Sequence, residues 1–217
     1  TTDKLTREAF ADLNDYWNSL PYQPNTSTRL SVDAEKGYTT YRYPQYLDNE
    51  TILSLYKTLD TPDAFVLTSR KDGKQRHLAY TGMVSTRPSE VVDGRVWWTE
   101  YRRSPLFQQK VTSSLCYMEL DKAHPRTAKS RKQNILYPTP DELGGLAWVQ
   151  YSPKGIYSLH HRDNKGIERT LALPFGQEVH SLTWDKKSER FYCIITGDEG
   201  MWIARNSKPG DITSPLE

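Results

Sequence analysis

Four times along the chain, a polar turn is followed at once by an apolar or aromatic run with the composition of a β-strand. These stretches are "LDNETILSLY", "VDGRVWWTEY", "SPKGIYSLHH" and "WDKKSERFYCII", with turns at Asp48, Asp93, Pro153 and Asp185. The intervals between the turn residues are 45, 60 and 32 residues. Their mean lies in the range of roughly 40 to 50 residues that is typical of propeller blades. Such a repeat favours a series of stacked small sheets over one continuous core.

Three stretches downstream of these strands have the pattern strand, Asp/Gly turn, strand, which predicts β-hairpins. The turns hold Asp72-Gly73, Asp163 with Gly166, and Asp198 with Gly200. The remaining repeat, which contains Trp97 and Trp98, has a longer insert in place of the tight turn. We therefore divide the chain into units of about 43–83, 84–137, 138–176 and 177–217.

The predicted fold class is all-β, with residues 28–217 as a β-propeller-like domain of about four recognisable four-stranded antiparallel blades. A mean hydropathy of -0.77 suits many short strands that are only half buried. Four blades would form either an incomplete ring or a segment of a larger one. Because the turn spacing is uneven, an irregular β-sandwich stays open as an alternative.

The first 27 residues differ from the rest and predict one α-helix and a linker. Apolar residues recur there at roughly helical spacing, and two prolines stop the run. These residues are Leu5, Phe10, Leu13, Trp17, Leu20, Pro21 and Pro24.

Charge and hydropathy exclude two classes of partner. The net charge of +2 lacks the clustered basic excess that nucleic acids require. The one basic run, from Asp121 to Lys132, has no interleaved aromatic residues and predicts a solvated loop. No stretch approaches the roughly 20 apolar residues of a membrane span, so we expect no membrane insertion.

Residue patterns typical of catalysis are missing from the sequence. No Gly-x-Ser-x-Gly pentapeptide occurs, and Cys116 and Cys193 lie in apolar runs without Cys-x-x-Cys spacing. We predict two buried, unpaired thiols, with a disulfide between them as the alternative. His160 and His161 would point to opposite faces of a strand, so we predict no metal site and no cofactor.

The best candidates for a binding surface follow the two tryptophans. Trp97 and Trp98 would face opposite sides of a strand, which suits a sheet covered on both faces. The residues after them should lie at the strand end, where aromatic and arginine side chains can recognise a protein. The predicted binding residues are Glu100, Tyr101, Arg102 and Arg103, together with His161 and Asp163 from the third unit; none is assigned a catalytic role.

The units resemble blades of the TolB-like and tricorn-like propellers, which are related to the WD-repeat propellers. "VQYSPKGIYSLHHRD" has Ser152, Pro153 and Gly155 of the blade motif Trp-Ser-Pro-Asp-Gly-Lys, with Tyr151 in place of tryptophan. "LTWDKKSERFYCII" has Trp184, and "LCYMELD" is similar to the family's Ile-Tyr-x-x-Asp-Leu strand. The resemblance covers residues 43 to 205 and implies an extracytoplasmic protein, periplasmic or secreted.

Blades of this kind serve, by resemblance, as protein-binding platforms or as gating modules attached to a peptidase. The sequence therefore favours a non-enzymatic module that binds another protein or another domain of its parent chain. The alternatives are an accessory or gating domain of a linked peptidase, and a propeller glycoside hydrolase. The hydrolase needs two converging carboxylates, for which Glu100, Asp163 and Asp198 are candidates.

Overall fold

The computed structural model describes residues 39–103, 111–129 and 134–217, and within these ranges the chain forms fourteen β-strands and no helix. The helix predicted in residues 1–27 lies outside the described residues. The strands are β1 (Thr39–Tyr46), β2 (Thr51–Thr58), β3 (Ala64–Ser69), β4 (Gln75–Tyr80), β5 (Arg95–Arg103), β6 (Val111–Glu119), β7 (Arg126–Lys129), β8 (Asn134–Pro140), β9 (Leu146–Tyr151), β10 (Tyr157–Arg162), β11 (Glu168–Ala172), β12 (Glu178–Asp185), β13 (Arg190–Gly197) and β14 (Gly200–Arg205).

Within each sheet, strands that follow one another in sequence pair in antiparallel fashion. Strands β1 to β4, in that order, form sheet I. Sheet II contains β5, β6 and β7, and segment 83–89 runs along the other edge of β5, with a hydrogen bond of 2.8 Å from Ser85 N to Thr99 O. Because β7 occupies 126–129, the loop predicted over the whole basic run was wrong there. An edge strand tolerates charged residues such as Arg126 because its side chains reach solvent.

The second half of the chain repeats this arrangement. Strands β8 to β11 form sheet III, which a single parallel bridge between Ser113 and Asn134 joins to sheet II. Strands β12 to β14 form sheet IV. Residues 215–217 lie along the other edge of β14, where Arg205 and Glu217 exchange two backbone hydrogen bonds of 2.9 Å. The three hairpins predicted at Asp/Gly turns are confirmed as β3–β4, β10–β11 and β13–β14.

With segment 83–89 counted as the first strand of sheet II, the turn between the first and second strands of every sheet begins with an aspartate. These residues are Asp48, Asp93, Asp141 and Asp185, at intervals of 45, 48 and 44 residues. Pro153, the predicted third turn, lies instead between β9 and β10, the second and third strands of sheet III. The predicted spacing is uneven because the turn at Pro153 is not equivalent to the other three. Strand β8 also begins at Asn134, before the predicted unit boundary at 137/138.

Three apolar clusters lie between neighbouring sheets, one between each pair. Trp98 faces sheet I and packs edge-on against Phe65, with ring centroids 5.1 Å apart. Trp97 faces sheet III in a cluster with Leu115 and Trp148. Both indoles are buried, which confirms that neighbours cover the two faces of sheet II. The third cluster joins sheets III and IV, and among the described residues no cluster joins sheet IV to sheet I.

Candidate functional site

Each sheet has an innermost segment, which is its first in sequence order: β1, segment 83–89, β8 and β12. Three of these segments are irregular near the middle. The strand register shifts at Tyr43-Pro44 in β1, at Tyr137-Pro138 in β8 and at His180 in β12. Tyr43 and Tyr137 have positive φ angles of 54° and 50°. Arg87-Pro88 occupies the corresponding place in segment 83–89. Proline cannot donate to a strand ladder, and a bulge turns the next side chain in a new direction. These bulges therefore direct side chains away from the regular faces of the sheets.

Side chains of the innermost segments tie each sheet to the next. Gln45 of β1 makes hydrogen bonds of 3.2 and 2.8 Å with the backbone of segment 89–91. Thr86 Oγ1 accepts the N–H of Tyr137 (3.2 Å), and Thr139 Oγ1 donates to a carbonyl of β12 (3.0 Å). These hydrogen bonds hold adjacent innermost segments together. Because Thr139 is buried, its hydroxyl also satisfies a backbone carbonyl of β12 that water does not reach.

A cleft of about 430 Å³ lies where the inner segments of sheets II, III and IV meet. Residues from 87–92, 137–142 and 180–184 line it. Its walls are mainly aromatic and proline side chains, with hydroxyl groups between them: Pro88, Tyr137, Pro138, Pro140 and Trp184, and Ser89, Thr139, Ser181 and Thr183. A concave site of this size with an apolar wall and a few polar groups is typical of ligand recognition.

Charged residues surround the cleft in pairs. Lys186 lies 2.6 Å from Glu142, which raises the pKa of the lysine. Arg87 lies 4.0 Å from Glu90, and both side chains are exposed. Burial and the proximity of Tyr101 raise the pKa of Tyr137, so its phenol stays protonated. The cleft thus offers a neutral aromatic wall below a rim on which each acidic group has a cationic neighbour.

The structure places the predicted binding residues of β5 in two different environments. Glu100 is only 4% exposed. Its carboxylate accepts hydrogen bonds from the Gly82 N–H (2.9 Å), the Trp98 indole (2.9 Å) and the Arg102 guanidinium (2.8 Å). These contacts make Glu100 a structural element of sheet II.

The neighbours of Glu100 on β5 are accessible. Tyr101 is 43% exposed, and Arg102 and Arg103 are exposed as well. Tyr101 and Arg103 line a surface pocket of about 520 Å³ together with Met83 and Val111. The binding role predicted for these side chains stays a prediction.

His161 and Asp163 lie on sheet III. His161 is 4% exposed, and its Nε2 lies 2.7 Å from Asp141 Oδ2. Asp163 accepts hydrogen bonds from the N–H groups of Lys165 (3.0 Å) and Ile167 (2.9 Å), which shapes the β10–β11 turn. No contact among the described residues brings this pair together with the β5 group. Their predicted binding role is also untested.

Asp141 forms a compact polar centre with His161. Its Oδ1 accepts the N–H groups of Leu143 (2.9 Å) and Gly145 (2.7 Å). Burial raises the pKa of Asp141, but hydrogen bonds from His161 and the two backbone groups outweigh it, so the net pKa is lowered. A Cβ at position 145 would lie 2.8 Å from His161 Nε2 and 2.9 Å from the Arg162 carbonyl, which explains the glycine.

Cysteine and metal chemistry do not define a second site in the described part of the chain. Cys116 and Cys193 are free and buried, as predicted. Burial raises the pKa of each thiol to about 11. No three His, Cys, Asp or Glu side chains among residues 39–103, 111–129 and 134–217 form a group that could hold a metal ion. Over the same ranges, no helix has the length and apolarity to cross a bilayer.

The residues lining the cleft were missed at the sequence level, although a signal was present. Arg87-Pro88 and Tyr137-Pro138 are residue–proline pairs in the same place of successive repeats, as is Tyr43-Pro44. Tyr137-Pro138 marks a bulge whose residues line the cleft, and Arg87-Pro88 lines the cleft from the corresponding place in segment 83–89.

Comparisons with known proteins identify the fold. No protein-family model and no curated protein match the sequence. TolB from Acinetobacter baumannii superimposes with a TM-score of 0.58 at 14% identity, over 82% of this chain and 43% of that protein. The putative TolB from Agrobacterium tumefaciens superimposes with a TM-score of 0.56 at 13% identity, over 82% of this chain and 61% of that protein. A puromycin-hydrolysing peptidase from Mycobacterium tuberculosis superimposes with a TM-score of 0.57 at 14% identity, over 78% of this chain and 28% of that protein.

These similarities confirm the predicted resemblance at the level of the fold. The described sheets have the architecture of TolB-like β-propellers, a class that extends to the propeller parts of peptidases. At 13 to 14% identity the similarity concerns the fold alone. The chain spans about half of the length of the TolB structures that it matches.

Proposed function

We propose that this chain is a non-enzymatic propeller module that binds a segment of another protein, or of another domain of its parent chain, in the cleft between its inner segments. The observation that carries this proposal is the convergence of the innermost segments of sheets II, III and IV on one concave site, with register shifts in two of them, β8 and β12. Fold similarity identifies the scaffold, whereas the residues of the site determine which ligand binds.

The chemistry of the cleft suits a polypeptide. Tyr137 and Trp184 are rigid aromatic surfaces of the kind that anchor protein interfaces. The hydroxyl groups and the bulged backbone offer both donors and acceptors, as an extended peptide requires. Because Glu90 and Glu142 have Arg87 and Lys186 nearby, the rim does not select a strongly charged ligand. The volume of about 430 Å³ accommodates a few side chains of a partner.

We assign sheets I to IV to four blades, corresponding to the units 43–83, 84–137, 138–176 and 177–217 of a domain that covers residues 28–217. In support, each sheet consists of four segments in sequence order, and the Asp turns recur every 44 to 48 residues. The start of β8 at Asn134 supports a boundary between the second and third blades that lies before residue 137. By resemblance, we also propose an extracytoplasmic location, which fractionation of the source cells would test.

Site-specific photo-crosslinking tests the binding proposal. A benzoylphenylalanine in place of His180, which is exposed on the cleft, should crosslink a defined partner in the source cells. The same replacement of Tyr80, which is 57% exposed on the outer strand β4, is the matched control. The partner is then identified, purified and titrated against the chain. Equal crosslinking from both positions would contradict the proposal.

One observation favours glycoside hydrolysis as a second candidate function. Glu90 and Glu142 both line the open cleft, whereas Glu100 does not. If these two carboxylates act on a sugar, the purified chain should hydrolyse a glycoside, and Glu90→Gln or Glu142→Gln should abolish that activity. A peptidase domain encoded in the same gene would instead favour an accessory or gating role.

A further inference from the structure

A surface pocket of about 520 Å³ lies at the exposed end of β5, apart from the cleft. Its lining residues are Met83, Tyr101, Arg103 and Val111, and we call it the Tyr101 pocket. The side chains of Met83, Tyr101 and Val111 are 61%, 43% and 41% exposed. A concave cluster of accessible apolar and aromatic groups is typical of an interaction site.

Arg103 is the charged member of the pocket, and no described residue neutralises its guanidinium. Arg42, Arg95 and Arg102 each lie 2.8 or 2.9 Å from a carboxylate, whereas Arg103 forms no ion pair within the described part of the chain. The sequence that follows it, residues 104–110, has no acidic residue. The pocket therefore combines an apolar wall with a positive charge that an anionic group of a ligand can pair with.

Strand geometry sets the spacing between the apolar wall and the charge. Tyr101 and Arg103 are alternate residues of β5, so their side chains lie on the same face, roughly 7 Å apart along the strand. Val111 of β6 pairs directly with Arg103. An extended polypeptide has the same two-residue period. An apolar residue and an acidic residue two positions later can therefore reach Tyr101 and Arg103 together.

Segment 83–89 connects this pocket to the cleft. Met83 lines the pocket, whereas residues 87–89 line the cleft. Burial and the proximity of Tyr101 raise the pKa of Tyr137, a residue of the cleft wall, so the two sites adjoin. The distance along the segment is roughly 13 Å, which about four residues of an extended ligand span. One extended polypeptide can therefore occupy both sites.

We propose that the partner segment bound in the cleft continues along segment 83–89 into the Tyr101 pocket. There it places an apolar side chain against Tyr101 and, two residues further on, an acidic side chain on Arg103. The N–H of Ser89 donates to the carbonyl of Trp97, so β5 begins beside the cleft and Arg103 lies at its far end. The acidic residue is therefore the one more distant from the cleft. The inference rests on the proposed function, because it names a second contact of the same partner.

Two matched peptides test the chemistry of the pocket in the full chain: acetyl-Gly-Leu-Thr-Glu-Gly-amide, and the same peptide with Gln in place of Glu. Titration followed by NMR should give a dissociation constant at least about 5-fold lower for the Glu peptide, because its carboxylate pairs with Arg103. Arg103→Gln should remove this preference, and Arg103→Lys should retain part of it. Arg76→Gln is the matched control, since Arg76 is exposed on β4, and it should leave the preference intact.

The partner identified by crosslinking provides the second measurement. Its affinity should fall at least about 5-fold with Arg103→Gln and stay unchanged with Arg76→Gln. Equal affinities of the two peptides, or a partner affinity that Arg103→Gln does not change, would overturn the inference. So would tighter binding of acetyl-leucine with a free carboxylate than of the Glu peptide, because the pocket would then select a chain end. Equal peptide affinities would leave the proposed function standing, whereas a missing His180 crosslink would refute that function.

Discussion

Replacing Asp141 by alanine should destabilise the fold far more than its role in a turn suggests. The carboxylate is 3% exposed and accepts three hydrogen bonds, from two backbone N–H groups and from His161. Alanine would leave the buried imidazole without its acid partner. It would also leave the N–H of Gly145, a buried residue, without an acceptor.

The expected cost follows from the groups left unpaired. Removing one partner of a buried, hydrogen-bonded polar pair costs about 3 to 4 kcal/mol. For a chain of this size that corresponds to a fall in Tm of roughly 10 °C. Urea unfolding monitored by tryptophan fluorescence gives the free energy of unfolding directly.

Asp48 provides the matched control within the same protein. It occupies the equivalent turn of sheet I and accepts two backbone N–H groups at 2.7 Å, but it is exposed and has no histidine partner. Asp48→Ala should therefore lower the Tm by clearly less than Asp141→Ala. Equal losses from the two variants would refute the argument, because they would show that the His161 contact contributes nothing.

The same pair predicts the response to acid. Because the pKa of Asp141 is lowered in the folded state, its ionised form stabilises the fold at pH values above the usual carboxyl pKa. This contribution is lost as the pH falls below about 4 and approaches the lowered pKa. The acid-dependent loss of stability should be smaller in Asp141→Ala than in the unmodified protein.

Three further predictions concern buried and exposed side chains. Cys116 and Cys193 should not react with a thiol reagent in the native protein at neutral pH, because burial raises their pKa to about 11, and both should react after unfolding. Glu100→Ala should cost about 3 kcal/mol in urea unfolding, because it leaves the buried Trp98 indole without an acceptor. Tyr101→Ala, at the next residue of β5, should change stability by less than about 1 kcal/mol.

The repeat of turns and strands predicted the architecture because each sheet is built from neighbours in sequence. The hairpins needed only local signals, namely Asp and Gly at turns between alternating residues. Trp97 and Trp98 were informative because adjacent large aromatic residues require cover on both faces of a strand. Local chemistry of this kind is visible without knowledge of tertiary contacts.

The environments of Glu100 and His161 depend on contacts between residues distant in sequence, so they could not be predicted from the sequence alone. A glutamate before two arginines suggests an exposed strand end, yet the Gly82 N–H and the Trp98 indole hold it inside sheet II. His161 is buried, and its hydrogen-bond partner Asp141 lies twenty residues earlier in the sequence. The cleft escaped prediction for a similar reason, since its three lining segments converge only after the sheets stack.

The most direct test of the account is the affinity of the crosslinked, purified partner for two matched double variants. Arg87→Ala with His180→Ala removes an exposed arginine and histidine from the cleft. Arg76→Ala with His77→Ala removes the same residue types from the outer strand β4, where both are exposed. Isothermal titration should show binding at least about 10-fold weaker for the cleft variant and unchanged for the β4 variant. Equal affinities for the two variants would contradict the claim that the partner binds between the inner segments.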